Sequence, residues 1–242
     1  MILRRRINIF LALALALNAL LWTGSRHMRA WWAGVPPVPS QNGAVALTLG
    51  DREFAFRTGA LGLQNLGDNG GRIVPLKDYD YGKIGAWLWM LHGLNPASEH
   101  LPVTAAYYYG AERTPENVAV IVDYLSVIGQ NPAGEKFRWL ADAAFLARHR
   151  MNDLDRALDI AYTLARMEPA HRPLPVWARQ LPALILEAKG EKDAARRLME
   201  GILADAEHLP PQEINFMAGW LAEKTGMDKA EIRALLKNKH GK

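Results

Sequence analysis

Apolar and polar positions fall into three regimes along the chain. Residues 7–22 form an almost unbroken apolar run, interrupted only by Asn8 and Asn18 and preceded by Arg4-Arg5-Arg6. Residues 34–43 then place three prolines among small residues and show no helical period. From about residue 82 onward, apolar residues recur at three- and four-residue intervals, as in Leu140, Ala143, Ala144 and Ala147 or Ala157, Ala161 and Leu164. That spacing predicts amphipathic helices whose small-residue faces allow close packing.

These helices are punctuated at a near-constant period. Pro96, Pro132 and Pro169 each follow an apolar stretch closed by a polar residue, each precedes Ala, and they lie 36 and 37 residues apart. Proline ends a helix because it lacks an amide donor and biases the preceding residue away from the α region. A stop that recurs in this way predicts stacked helical hairpins. The expected pairs are 104–111 with 117–128, 137–148 with 154–167, 176–188 with 193–206, and 213–223 with 229–237. In the first pair Thr114 should be the N-cap and Pro115 the first helical residue. Pro182 should kink or break its helix.

The predicted fold class is therefore all-α: an N-terminal transmembrane helix followed by an array of α-hairpins. The body, over residues 82–225, resembles a tetratricopeptide-type repeat array. Ala157 and Pro169 match the small residue early in the repeat's second helix and the proline after it, and Ala194 matches the first of these one repeat later. The aromatic, Leu-Gly and Tyr positions of the first helix are mostly not met; Tyr108, Phe145 and Pro182 stand where Gly or Ala is usual. The resemblance implies a concave groove lined by the first helix of each pair. Counting back from the closing prolines puts Tyr109, Glu112 and Arg113 on that face, then Asp142, Leu146, His149 and Arg150, and counting back from Ala206, which stands in the place of the third closing proline, gives Arg179 and Glu187. Residues 56–81 are also similar to segments of membrane-anchored helical-repeat proteins of alphaproteobacteria, which implies a bacterial envelope setting.

The apolar run decides placement. Its sixteen residues make about 24 Å of helix, slightly short of a bilayer core. A signal peptide of that length needs a small-residue cleavage site, and the best candidate, Thr23 and Ser25, is poor. Trp22, Trp31 and Trp32 resemble an interfacial aromatic belt instead. The expectation is an uncleaved anchor over residues 1–24 in a bacterial inner membrane. The three arginines ahead of it put the N-terminus on the cytoplasmic side and the body in the periplasm. A stiff spacer over 25–43 would hold the body off the lipid, followed by a helical and loop segment over 44–81 and the repeat domain over 82–242.

Charge and candidate chemistry narrow the function. The net charge is +4, but through Arg72 eight arginines face only Asp51, Glu53 and Asp68, so the basicity belongs to the anchor region and the helical body carries no basic stripe. Nucleic acid is not an expected partner. Cysteine is absent, which removes thiolate metal sites and cysteine nucleophiles, and the seven histidines show no ligand spacing. Gly67-Asp-Asn-Gly-Gly-Arg72 lacks the Gly-Lys-Ser/Thr of a phosphate loop and reads as a helix-ending loop. Asp78-Tyr-Asp80-Tyr-Gly82 fails the calcium-loop pattern at its fifth, sixth and twelfth positions, so Asp80 reads as the N-cap of the helix carrying Trp87 and Trp89. Of Tyr107-Tyr108-Tyr109, at least one should face solvent, because consecutive helical residues point about 100° apart. No metal, no cofactor and no catalysis are expected. The expected function is a membrane-anchored scaffold or assembly factor holding a protein or peptide in its groove. The alternatives are a structural subunit of a larger membrane complex and an enzyme using the 67–80 loop.

Overall fold

The structure is a computed structural model that describes residues 2–25, 34–69, 72–169, 173–204 and 209–237. It is all-helical apart from one minimal hairpin, and its first helix is apolar. α1 (Ile2–Ser25) carries a stretch, Arg6–Ser25, of 20 residues with mean hydropathy 1.8, none of it buried against the rest of the chain. Twenty residues rise about 30 Å, enough to cross a bilayer core. The helix outruns the apolar run because it takes in Arg6 at one end and Thr23 to Ser25 at the other. There the Thr23 hydroxyl folds back on the Ala19 carbonyl at 2.9 Å.

The body begins earlier than the proline pattern suggests. Residues 35–39 are extended, as expected, but they are docked: Val35 is buried, and the Trp87 indole N–H donates to the Pro36 carbonyl at 2.9 Å. From Val35 onward the expected spacer is thus part of the core and does not stand the body off. The physical reason is that its valines bring apolar surface that a free linker would leave in water. α2 (Gln41–Leu47) and α3 (Arg52–Gln64) follow, capped by Ser40 and Asp51, whose side chains accept from the backbone N–H of Gly43 and Phe54.

α3 ends in a hairpin of two-residue strands, β1 (Asp68–Asn69) and β2 (Arg72–Ile73), where a helix-ending loop was expected. Gly67 turns into it at φ +87°, and the Tyr79 ring fills the space a β-carbon there would need. Tyr79 donates to the Leu66 carbonyl at 2.7 Å. α4 (Tyr81–Leu94) starts on Asp80, which accepts from the Lys83 N–H at 3.0 Å as the sequence predicts. That bond lowers the Asp80 carboxyl below its ordinary value.

From residue 100 the described residues continue as a succession of helices to Lys237. Residues 100–111 make an irregular helix: α5 (His100–Val103), a π-helical stretch (Thr104–Tyr108) and a 3-10 turn (Tyr109–Ala111). α6 (Pro115–Ile128), α7 (Phe137–His149), α8 (Leu154–Ala165), α9 (Val176–Ala188), α10 (Lys192–Leu203), α11 (Pro211–Thr225) and α12 (Lys229–Lys237) follow. The helices stop ahead of Pro96, Pro132 and Pro169, where the proline spacing puts the stops. From α6 to α11 each helix packs on the next, and α7 also touches the 100–111 helix before it and α9 after it. Gln180 on α9 reaches α11 directly, its side-chain amide donating to Glu213 at 3.0 Å. On the other flank Arg156 of α8 pairs with Asp123 of α6, and Lys189 pairs with Asp155 at 2.6 Å.

Two hydrophobic clusters divide the body. The first runs from Val35 to Ile185 and includes Phe56, Leu88, Tyr109, Tyr124, Leu140 and Leu164. The second gathers Ala183, Leu186, Met199, Met217, Trp220 and Ile232. α9 contributes to both, and of the kink or break expected at Pro182 there is no break: the helix continues through this buried residue. Proline removes one donor there, but α8 and α10 pack α9 from both sides and hold its course.

Candidate functional site

The groove-facing residues expected from the repeat spacing separate into two groups. In the first pair the expectation fails for Tyr109 and Glu112. Tyr109 is completely buried: its hydroxyl donates to the Leu63 carbonyl at 2.6 Å, its carbonyl accepts from the Tyr81 hydroxyl at 3.1 Å, and Tyr79, Tyr81 and Tyr108 pack edge-on around its ring. It braces α3 against the 100–111 helix and cannot line an open face. Glu112 is also buried, accepting from the Thr114 hydroxyl and N–H at 2.8 and 2.9 Å. Burial pushes its carboxyl up, but the hydrogen bonds from Thr114 and Arg113 outweigh it and hold the group below the usual carboxylate range. Thr114 therefore spends its hydroxyl on Glu112 and caps α6 by position alone. Arg113 is exposed, beside the break between the two helices.

In the second pair the expected residues come together. Asp142, Leu146 and Arg150 line one cleft of about 300 Å³, closed on the other side by Ala106, Tyr107, Gly110 and Ala111. Phe145 completes the lining, and His149 lies beside it, the two rings 4.5 Å apart at 45°. Tyr107 and Phe145 are 67% and 55% exposed, so two large aromatic side chains stand over the cleft with little cover. Sequence reasoning missed both as groove residues. The signal was present in Phe145, a large ring where the repeat has a small residue, and in three tyrosines that could not share one core.

The electrostatics of this cleft are set by partial burial. Desolvation raises the Asp142 carboxyl above its ordinary value. The Tyr107 hydroxyl is raised in turn, first by the Asp142 charge and then by burial, with Arg138 opposing. His149 is pushed down by burial and by the neighbouring Arg148 and Arg150 guanidinium groups, so it is neutral at physiological pH. The cleft thus offers two aromatic faces, a carboxylate under-solvated by its surroundings and a guanidinium. That set can grip an apolar side chain while accepting a hydrogen bond from an amide or cation.

Arg179 and Glu187 sit away from it. Arg179 lines a separate cleft of about 320 Å³ with Met167, Pro169 and Leu174, its Nε buried without a partner. Glu187 faces α11, where Lys224 lies 3.9 Å away. At the loop suggested as an alternative catalytic site, Tyr79 occupies the space beside Gly67, and Asp80 caps α4. Gly70 and Gly71, like Trp31 and Trp32, lie outside the described residues. Among the described residues no three His, Asp or Glu side chains gather as a metal site.

No family model, no curated protein and no solved structure matches this chain.

Proposed function

We propose that this chain is a membrane-anchored scaffold of tetratricopeptide-like hairpins that holds a peptide segment of a partner protein in the cleft between the 100–111 helix and α7. One observation carries the reading: Tyr107 and Phe145 stay exposed over a cleft containing Asp142 and Arg150. Exposed rings cost the free protein hydrophobic stabilisation that a partner would restore, and aromatic anchors beside charged groups are typical of binding hot spots. The order of helix contacts supports an array. The first helix of each pair touches the first helix of the next, from the 100–111 helix through α7 and α9 to α11, which leaves them along one flank. α1 supports anchoring, since none of its apolar stretch is buried among the described residues. Its candidate cleavage residues Thr23 and Ser25 belong to the last turn of the helix.

The setting proposed is the inner membrane of a bacterium, with the body in the periplasm. Changing Tyr107 and Phe145 together to Ser tests the binding role: partners recovered with the full chain in mild detergent should be lost, with helicity unchanged. If a stoichiometric assembly survives the double change intact, the structural-subunit reading replaces this one.

A further inference from the structure

Four large apolar side chains on the N-terminal part of the body have no place in either core. Leu47 and Leu49, in and after the last turn of α2, are 82% and 100% exposed, and Phe54 and Leu61 on α3 are 56% and 58% exposed. Phe54 and Leu61 are seven residues apart and so share one face of α3. Leu49 also sits at φ +56°, a left-handed conformation that a leucine side chain adopts at a cost. Its side chain is fully exposed, so no side-chain packing among the described residues offsets that cost.

The charges around this face are internally satisfied. Asp51 caps α3, Arg52 donates to the Leu94 carbonyl at 2.9 Å, and Arg57 pairs with Glu53 at 2.7 Å. A surface whose charged groups are already hydrogen-bonded within the body approaches lipid at a lower desolvation cost than one whose charges face only water. The same face reaches the place where the chain joins the body. An apolar cleft of about 480 Å³ is lined by Thr58 and Gly62 of α3 together with Trp87 and Pro36. Pro36 is fixed by the Trp87 indole, and only ten residue steps separate Val35 from Ser25 at the end of α1. A chain of that length spans at most about 35 Å.

We propose that the outer face of α2 and α3, led by Leu47, Leu49 and Phe54, docks into the interfacial layer of the same bilayer that α1 crosses. This rests on reading α1 as a membrane span. The short tether keeps the face near the lipid surface, and burying its leucines and phenylalanine in the headgroup–acyl boundary supplies the apolar environment the body lacks. The second contact fixes the orientation of the body, which a single helix and a tether would leave free.

The chain has no cysteine, so single labels are simple to place. Full-length Leu13→Cys, Leu47→Cys, Leu49→Cys and Lys192→Cys, each carrying an NBD fluorophore, are reconstituted into phosphatidylcholine–phosphatidylglycerol vesicles and quenched with doxyl-labelled phosphatidylcholine. Circular dichroism matching the unsubstituted chain confirms each fold. Position 13 reports the span, 47 and 49 the proposed face, and 192 the exposed start of α10. The expected result is quenching at 13, 47 and 49 several-fold stronger than at 192, with blue-shifted emission at 47 and 49. Strong quenching at 13 with 47 and 49 no different from 192 overturns the docking face alone. Absence of quenching at 13 overturns the span and this inference with it.

Discussion

The Tyr109 hydroxyl donates to the Leu63 carbonyl at 2.6 Å across 46 residues of sequence, joining the end of α3 to the 100–111 helix. The bond sits in a ring of Tyr79, Tyr81 and Tyr108. Burial pushes the Tyr79 hydroxyl up to about 12 and raises Tyr81 and Tyr109 further, so all three stay protonated donors. Tyr109→Phe should cost about 1 kcal/mol in urea unfolding, the net worth of one hydrogen bond, while Tyr109→Ala should cost about 3–5 kcal/mol from the cavity. Equal small effects of both would mean that the ring is not part of the core.

Close packing between successive helices predicts intolerance of added volume. Ala157 on α8 is fully buried, and a β-carbon on Gly129 would meet the Leu140 amide nitrogen at 2.7 Å. Ala157→Phe should destabilise by about 1–3 kcal/mol, and Gly129→Ala should fall in the same range because the obstacle is backbone and cannot swing away. Thermal unfolding followed by circular dichroism measures both.

Acid should weaken the fold through His92. Burial and the Lys136 ammonium push its imidazole below the ordinary value, and its Nδ1 is buried without a partner between Trp89 and Tyr124. The folded chain therefore binds fewer protons at this site than the unfolded chain. Stability from this site is whole above the ordinary histidine value of about 6.5 and is lost as pH falls through and below it. The melting temperature should drop between pH 7.5 and pH 5.5, and His92→Leu should make that drop shallower. An unchanged slope in the variant would place the acid sensitivity elsewhere.

The helical stops and the Asp80 cap were legible in the sequence because they depend on local chemistry. Proline's missing donor and the side-chain oxygen of Asp80 act within one turn of the chain. Tyr109 was placed on the wrong face for a physical reason. Extrapolating an α-helical register through residues 104–111 fails where a π stretch and a 3-10 turn change the rotation per residue, and the exposed rings become Tyr107 and, less so, Tyr108. The second pair has a regular first helix, and there Asp142, Leu146 and Arg150 fell together as expected. The docking of Val35 and Pro36 on α4 was hidden because the contact spans 51 residues. So was the grip of Glu99 on the Lys136 ammonium and the Trp139 indole, at 2.8 and 2.6 Å. Neither leaves a periodic trace.

Asp142 gives the cleft a charge signature. Its carboxyl is raised by burial alone, so the charged form is under-stabilised in the free protein. Asp142→Asn should leave the melting temperature unchanged or slightly raised at neutral pH, and the variant should lose the gain in stability that the wild-type carboxyl contributes when it takes up its proton on acidification. A partner that brings a cation or amide to this carboxylate should bind more weakly to the variant, by about tenfold if one charge-assisted hydrogen bond is lost. Unchanged affinity would remove Asp142 from the contact.

The groove is tested most directly by photo-crosslinking in the cells that make the protein. p-Benzoylphenylalanine is placed at Phe145, over the cleft, and separately at Val127, an exposed apolar position on α6. A groove that holds a partner segment gives a discrete adduct from position 145, absent from position 127 and abolished when Asp142→Asn and Arg150→Ala are added. The same adducts from both positions, or a 145 adduct indifferent to those two changes, would contradict it.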